Sequence, residues 1–480
     1  TIEQRYFFGQ ELRDFVHTEL PNTHALALRH LRTSVDRALA RALGTTGAAP
    51  GPVHINVPFR EPLAPTPHGL LDQETEDAAL HGRRASPLVS YHGSLAAPDK
   101  KTTSTVAGLL DRAKRPVVVC GPMEPWRAKE DGWLELFAKL GAPVLADPLS
   151  QWRFGPLSEH VLTHYDAFLR SEAWRRAHAP DLVLRFGRMP TSKAYKFWRQ
   201  EHPGATEVLV EPAGLLYEPV QQAQMLWCAD PNLAAEALAG ALTVSHRRSA
   251  WTQALQDAER VAAAHVQGAV GAPEVWEGAV VRAVLSAMRP GDAYFAASSM
   301  PIRDLDTFGA ASTRPGAVYC NRGANGIDGL ISTCLGVSTA LDGHVFAVLG
   351  DVAFLHDIGG LLATTRGRYA DASSMQVTFL VNNNAGGGIF EYLPIARYPE
   401  HFDRLFVTTH DVDIAPLCAA YGVSHRRVTT PRGLAQALAA RQGASGVAVV
   451  EVMIDRMDNV ARHRAMWADV VAALDEGGPA

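Results

Sequence analysis

"GDVAFLHDIGGLLATTRGRYADASSMQVTFLVNNNAGGGIF", residues 350–390, is the stretch that decides the fold. An apolar run, HVFAVLG (344–350), stops at Asp351. A helix-like segment follows, and a second apolar run, VTFLV (377–381), stops at three asparagines and a string of glycines. Two short apolar runs separated by helical length are the pattern of neighbouring strands in a parallel sheet covered on both faces. Small and oxygen-bearing residues at both ends imply that something polar is held at one edge of that sheet.

The same rhythm continues outward. AYFAASS (293–299), AVYCNRG (317–323) and VAVVEVMI (447–454) read as further strands of one block, with charge nearly absent from their middles. A second block carries PVVVCG (116–121), PVLAD (143–147), DLVLRFG (181–187) and EVLVEP (207–212), alternating with helical stretches such as AKEDGWLELFAKLG (128–141). This alternation is that of βαβ units. Nearer the start, residues 24–43 have helical periodicity ended by Gly44, and VHINVPF (53–59) reads as a strand stopped by Pro58. The expected organisation is α/β throughout: a first block over 1–65, a Pro-rich polar linker over 66–101, a central α/β domain over 102–247, and a last domain over 248–480 that ends in a helix.

Composition narrows the function classes. The chain has 480 residues, 47% of them hydrophobic, enough to bury two or three cores. A formal net charge of −5 without a long basic block argues against nucleic acid or an anionic membrane surface as the main partner. No run approaches the ~20 apolar residues of a membrane span. TIEQRYFFGQ lacks the regions of a signal peptide. Five scattered cysteines with no C-x-x-C pair read as buried apolar residues of a reducing compartment, so a cytoplasmic location is expected. H-E-x-x-H, G-x-x-x-x-G-K-[ST] and G-x-S-x-G are absent, which removes the usual zincins, P-loop NTPases and α/β-hydrolases.

Ligands of such sheets sit beyond the carboxyl ends of the strands. Four clusters fall there: ASSMPIRD (297–304), NRGANGIDG (321–329), Gly350–Asp351 and NNNAGGG (382–388). Each alone has an ordinary reading. Asp351 would cap a helix, the Asn/Gly run would be a turn, Ser298 or Ser299 would cap a helix, and Arg322 would form a surface ion pair. Together they share oxygen and glycine chemistry at the ends of strands of one block. A carboxylate and an amide on adjacent strands, with a backbone carbonyl, make a hard all-oxygen site for Mg²⁺, and glycines let backbone approach phosphates closely. The stretch looks built to hold a metal-bound diphosphate.

Gly-Asp followed some thirty residues later by Asn-Asn resembles the diphosphate-anchoring motif of thiamine diphosphate enzymes. GPVHINVPFREPL (51–63), SMPIRDLDTF (299–308), NRGANGIDGLISTCLG (321–336), GDVAFLHDIGGLL (350–362) and NNNAGGGIFEYLP (382–394) resemble, more narrowly, the 2-succinyl-5-enolpyruvyl-6-hydroxy-3-cyclohexene-1-carboxylate synthase family of menaquinone biosynthesis. The resemblance implies a three-domain architecture with a pyrimidine-binding, a central and a diphosphate-binding domain. It further implies thiamine diphosphate with Mg²⁺ (Mn²⁺ able to substitute) and a homodimer or homotetramer with shared active sites. The implied reaction is a transferase reaction that decarboxylates 2-oxoglutarate and adds the remaining unit to isochorismate in a 1,4-sense. It also implies that this chain enters the pyrimidine-binding domain part-way, with the activating glutamate preceding Thr1; Glu3 and Glu11 come too late to be that residue. Another thiamine diphosphate-dependent 2-oxoacid carboligase or decarboxylase, or a truncated non-catalytic cofactor-binding protein, is the competing expectation.

Carried over residue by residue, the resemblance gives Asp351 and the carbonyl of Gly386 to the metal. The amide ligand is Asn384 when counted back from Ile389 and Phe390, and Asn383 when counted forward from Val381. Ser299, Met300, Gly323, Gly350, Val352 and Ile389 match cofactor positions. Ile327 matches the bulky residue that wedges beneath the thiazolium, although an ordinary core isoleucine would look the same. Ser299, Arg303, Arg322 and Lys193 match substrate positions, and Phe390 and Leu393 an apolar wall. Arg303 and Arg322 suit carboxylates because a planar guanidinium binds them bidentately. His356 is read as helix packing.

Overall fold

The computed structural model describes residues 3–61, 63–64, 73–81, 83, 85–124, 132–243, 249–271, 273–314, 316–365 and 374–476. Residues 66–72, 82 and 84 of the expected linker, 128–131 of the expected helix at 128–141, and the last four residues lie outside them. The chain forms two compact units.

The smaller unit comprises residues 1–98 with 211–216 and 227–230. Its strands β1 (Asp14–His17) and β2 (Val53–Asn56) pair in parallel, joined by the helix Ala25–Ala42. His24 caps that helix, its ring nitrogen accepting from the Leu26 amide. Within the stretch expected as a linker lies a further helix, Gln73–Leu80. β1 was not expected, because RDFVHTE offers only two large apolar residues in a row.

The larger unit holds two parallel sheets. Strands β3 (Pro116–Cys120), β4 (Val144–Ala146), β5 (Leu182–Phe186), β6 (Thr206–Val210) and β7 (Met225–Trp227) are ordered β4-β3-β5-β6-β7. Strands β8 (Ala293–Ala296), β9 (Ala317–Tyr319), β10 (Val345–Gly350), β11 (Gln376–Asn383), β12 (Ser424–Val428) and β13 (Gly446–Met453) are ordered β12-β13-β11-β10-β8-β9. Every pairing given for them is parallel.

Alternate side chains of the six-stranded sheet enter opposite cores, as the two-residue period requires. Tyr294, Phe346, Val348 and Leu380 pack into one core, which continues through Val117, Val119 and Val183 of the five-stranded sheet. Phe295, Ala347, Leu349, Phe379 and Val381 pack into the other, under the helices Leu330–Ser338 and Asp351–His356. β5 carries a charge in its middle. Arg185 is wholly buried there, its Nε 2.7 Å from Glu207 Oε1 on β6, while Arg199 Nε holds Glu207 Oε2 at 3.1 Å. Burying these charges is tolerable only because they are paired.

The connection after β8 leads to β9 on one side, and the connection after β10 leads to β11 on the other. The crevice between the carboxyl ends of β8 and β10 is therefore the switch point at which open α/β sheets bind ligands.

Candidate active site

At that crevice Gly350 pairs in register with Asn382, so Asp351 emerges beside the asparagine run. Asp351 is 1% exposed. Its Oδ1 accepts from the Val352 amide at 2.8 Å and its Oδ2 from the Gly386 amide at 2.9 Å, with His410 Nε2 3.3 Å from Oδ2. Burial pushes its carboxyl above the ordinary aspartate range, with these amides and His410 opposing. Asp351 is the first residue of its helix rather than the cap, a position taken by Gly350.

The alternation of β11 separates the asparagines. Asn383 turns away: its Nδ2 donates to Glu451 Oε1 at 2.7 Å and its Oδ1 accepts from the Ala385 amide at 3.1 Å. Asn382 and Asn384 face the crevice, and both of their Oδ1 atoms are buried without a hydrogen-bond partner. The turn beyond needs its glycines. Gly386 has φ +152°, and a Cβ there would lie 2.7 Å from Val407; a Cβ on Gly388 would lie 2.7 Å from Asn384 Nδ2. Ala385 adopts φ +57°.

From β8, Ser299 enters with φ +73° and ψ −131°, a backbone that a non-glycine residue rarely adopts. It occupies the cap position of the helix Met300–Phe308 without a side-chain capping bond. Ser299, Met300, Ile327, Gly350, Asp351, Val352, Asn384, Gly386, Ile389 and Phe390 line one cavity of about 160 Å³. Ile327 is half-buried and also packs on the core beneath it.

Met300 and Ile389 also line a second, larger cavity of about 830 Å³, which contains Lys193, Arg303 and Leu393. Arg303 is held by a hydrogen bond to the Ser299 carbonyl. Burial lowers its pKa, and the neighbouring Arg322 adds to the effect. Arg322 and Gly323 themselves line a separate pocket with Arg188 and Asp328. Ten of the expected residues thus meet in the first cavity, three more in the adjoining one, and Arg322 and Gly323 stand apart from both. Asn383 faces elsewhere. His356 is exposed at the end of its helix, so the expectation of packing is corrected: Ala353 and Phe354 face the core, and His356 does not.

One feature of the site lay outside the sequence reading. Glu277, Asp304 and His463 form a fully buried group behind Asn384, whose Nδ2 lies 3.5 Å from Glu277 Oε1. His463 Nδ1 donates to the Asn459 carbonyl at 2.8 Å, leaving Nε2 as the acceptor 3.0 Å from Asp304 Oδ1. Burial lowers the pKa of His463 and raises that of Asp304. Burial, helped by Asp304, pushes Glu277 up to about 8. Asp304 lies within SMPIRDLDTF, but its partners come from distant segments and no local spacing marks them.

A buried carboxylate, two unpartnered amide oxygens and glycines that leave no room for side chains together form an oxygen donor set. They fit a hard cation bound to a phosphate group. The comparisons with known proteins agree. "Middle domain of thiamine pyrophosphate" matches residues 84–295, and "Thiamine pyrophosphate enzyme, C-terminal TPP binding domain" matches residues 309–452. The 2-succinyl-5-enolpyruvyl-6-hydroxy-3-cyclohexene-1-carboxylate synthase of Myxococcus xanthus is 38% identical over 488 residues, covering 99% of this chain and 79% of the relative. The chain belongs to this synthase family. Relatives of the same description from Halobacterium salinarum (38% identical, 99% of this chain, 80% of the relative) and Geobacillus kaustophilus (36%, 98% and 79%) carry the same relationship into other lineages. The synthase-family chain is accordingly a transferase of the thiamine diphosphate class, with a divalent metal as part of its cofactor. Among the described residues, no helix is long and apolar enough to cross a membrane.

Proposed function

We propose that the chain decarboxylates 2-oxoglutarate and joins the remaining four-carbon unit to isochorismate by 1,4-addition, using thiamine diphosphate and Mg²⁺, with Mn²⁺ able to stand in. The observation that carries this reading is the adjoining pair of cavities. One is lined by a metal-type donor set, and the other, which shares Met300 and Ile389 with it, is lined by five basic side chains, Lys193 and Arg303 among them, and four acidic ones. Asp351, Asn384 and the Gly386 carbonyl hold the metal. Asn384 is preferred to Asn383 because the amide of Asn383 is already engaged by Glu451. Gly350, Val352, Ser299, Met300, Gly323 and Ile389 contact the cofactor, and Ile327 supports it from the core side.

Thiamine diphosphate, when bound, supplies an electron sink for the carbon–carbon bond that breaks on loss of CO₂. The chain's own residues position and select. Arg303 and Lys193 bind substrate carboxylates in the larger cavity, with Ser299 as a further polar contact, and Arg322 binds one from the separate pocket that it lines with Gly323. Phe390 and Leu393 wall off water, which strengthens each charge contact. An acidic protein can hold such anions where a cavity is locally cationic. The reading includes a homodimer or homotetramer in the cytoplasm, with no nucleic-acid partner; the five cysteines, all free, suit a reducing compartment.

The test is an assay with Mg²⁺ and thiamine diphosphate that offers 2-oxoglutarate with isochorismate, or pyruvate alone. Consumption of both substrates of the first mixture, with CO₂ release, is expected. Turnover confined to pyruvate would replace the reading with another 2-oxoacid carboligase.

A further inference from the structure

Asp166 is the most heavily bonded carboxylate beside the cationic cavity, and it belongs to none of the roles above. It is 4% exposed and lines the cavity wall. Its Oδ1 accepts from Ser192 Oγ at 2.6 Å. Its Oδ2 accepts from Thr307 Oγ1 at 3.1 Å and from Arg170 through Nη2 at 2.9 Å and Nε at 3.3 Å. The segments of Ser192 and Thr307 are thereby tied to one buried anion, which its own neighbour Arg170 also holds. Burial opposes its ionisation, but Arg170, Ser192 and Thr307 keep its pKa below the ordinary aspartate value.

Each tie ends next to a residue that faces the cavity. Ser192 caps the helix Lys193–Glu201: its Oγ accepts from the Tyr195 amide at 3.1 Å while donating to Asp166, and the next residue is Lys193. Thr307 lies one turn beyond Arg303 on the helix Met300–Phe308, and residues four apart share a face. Arg170, paired with Asp166, lies over Trp467 with its guanidinium carbon 3.6 Å from the ring centroid. We infer that Asp166 is a positioning residue for substrate recognition: it fixes Lys193 and Arg303 relative to each other and cancels the charge of Arg170, so that the cavity presents a set number of free cations at a set separation. This inference rests on the proposed role of the cavity in binding carboxylate substrates.

Asp166→Asn keeps the shape but turns one acceptor into a donor, which Ser192 or Arg170 must then face. We take isochorismate, the second substrate, as the one whose carboxylate Lys193 reaches; the expected result is then a rise of about ten-fold in its KM, with kcat within about two-fold and thiamine diphosphate Kd unchanged. Ser192→Ala, which cuts only the tie to the Lys193 helix, is expected to reproduce most of that rise and keeps the inference testable if Asp166→Asn folds poorly. In a Lys193→Ala background, Asp166→Asn is expected to add little further, because both changes act on one contact.

A merely structural aspartate would lower Tm and the fraction of active enzyme while leaving KM unmoved and its effect additive with Lys193→Ala. That outcome would overturn the inference while the cavity's role stood. If Lys193→Ala itself left KM for isochorismate unchanged, the assignment of the cavity would fail, and this inference with it.

Discussion

Asp351 and Asn384 show how a site is set by the direction of single side chains. Consecutive residues of β11 point to opposite faces, so the three asparagines of 382–384 cannot share a role. Counting along the sequence left Asn383 and Asn384 both eligible, because spacing does not report which face a residue occupies. The structure gives Asn383 two partners of its own and leaves the Asn384 oxygen buried and unpartnered. An unmet buried acceptor costs about 1–3 kcal/mol, a cost that a bound cation removes. Asn384→Ala is therefore expected to weaken Mg²⁺-dependent thiamine diphosphate binding by ten-fold or more, with little change in Tm for the ligand-free protein. Asn383→Ala should do the reverse, lowering stability by about 1–3 kcal/mol through the lost Glu451 bond and leaving cofactor affinity nearly intact. Calorimetry and thermal melts of the two variants side by side check the pair. Equal loss of affinity in both would return the choice of ligand to an open one.

Among the elements, most of those legible in the sequence were strands buried on both faces. β3, β8, β10, β11 and β13 read as mainly apolar runs, interrupted in β11 by Thr378 and in β13 by Glu451, because both faces of their sheets are covered. β12, Ser424–Val428, was missed because it is an edge strand whose SHRRV sequence is mostly exposed or half-buried, with only Val428 buried. Arg185 in β5 and the group Glu277, Asp304 and His463 were missed for another reason. A buried polar residue is recognised by its partners, and the side chains that Arg185, Glu277 and His463 engage through these bonds lie between 22 and 182 residues away in sequence. Strain at a junction of elements was equally invisible. Ser299 joins β8 to the helix Met300–Phe308 in a backbone suited to glycine, at a cost of about 1–3 kcal/mol. Ser299→Gly is expected to stabilise the protein by about 1 kcal/mol while lowering kcat/KM, since the hydroxyl leaves the cavity. Ser299→Ala should lower kcat/KM without the gain, because its Cβ keeps the strain. Urea titration together with steady-state kinetics separates the two, and a Ser299→Gly variant less stable than the parent would show that the junction stores no strain.

For the molecule as a whole, stability and chemistry are placed at opposite edges of the same sheet. The carboxyl ends of β8, β10 and β11 carry the site, whereas His344 precedes β10 at the other edge and is 1% exposed. Its amide donates to Asp292 Oδ1 at 2.9 Å, and its Nε2 lies 2.8 Å from Thr378 Oγ1 on β11. Arg441 Nε donates to that hydroxyl at 3.2 Å. Burial, then the charge of Arg441, lowers its pKa from 6.5 to about 4, with Asp292 opposing weakly. Between those two values the unfolded chain binds a proton that the folded chain refuses, so stability falls as pH drops through the window from 6.5 to 4. Full passage through it removes about 3 kcal/mol. His344→Gln, which keeps an acceptor for Thr378 and has no proton to gain, should lose this part of the acid sensitivity. Urea titrations of parent and variant at pH 7 and pH 4.5 are expected to show a smaller drop in the variant, while kcat/KM at pH 7 stays the same because no substrate or cofactor residue is touched. Parallel pH profiles for the two proteins would mean that His344 is charged in the fold and that the acid limit is set elsewhere.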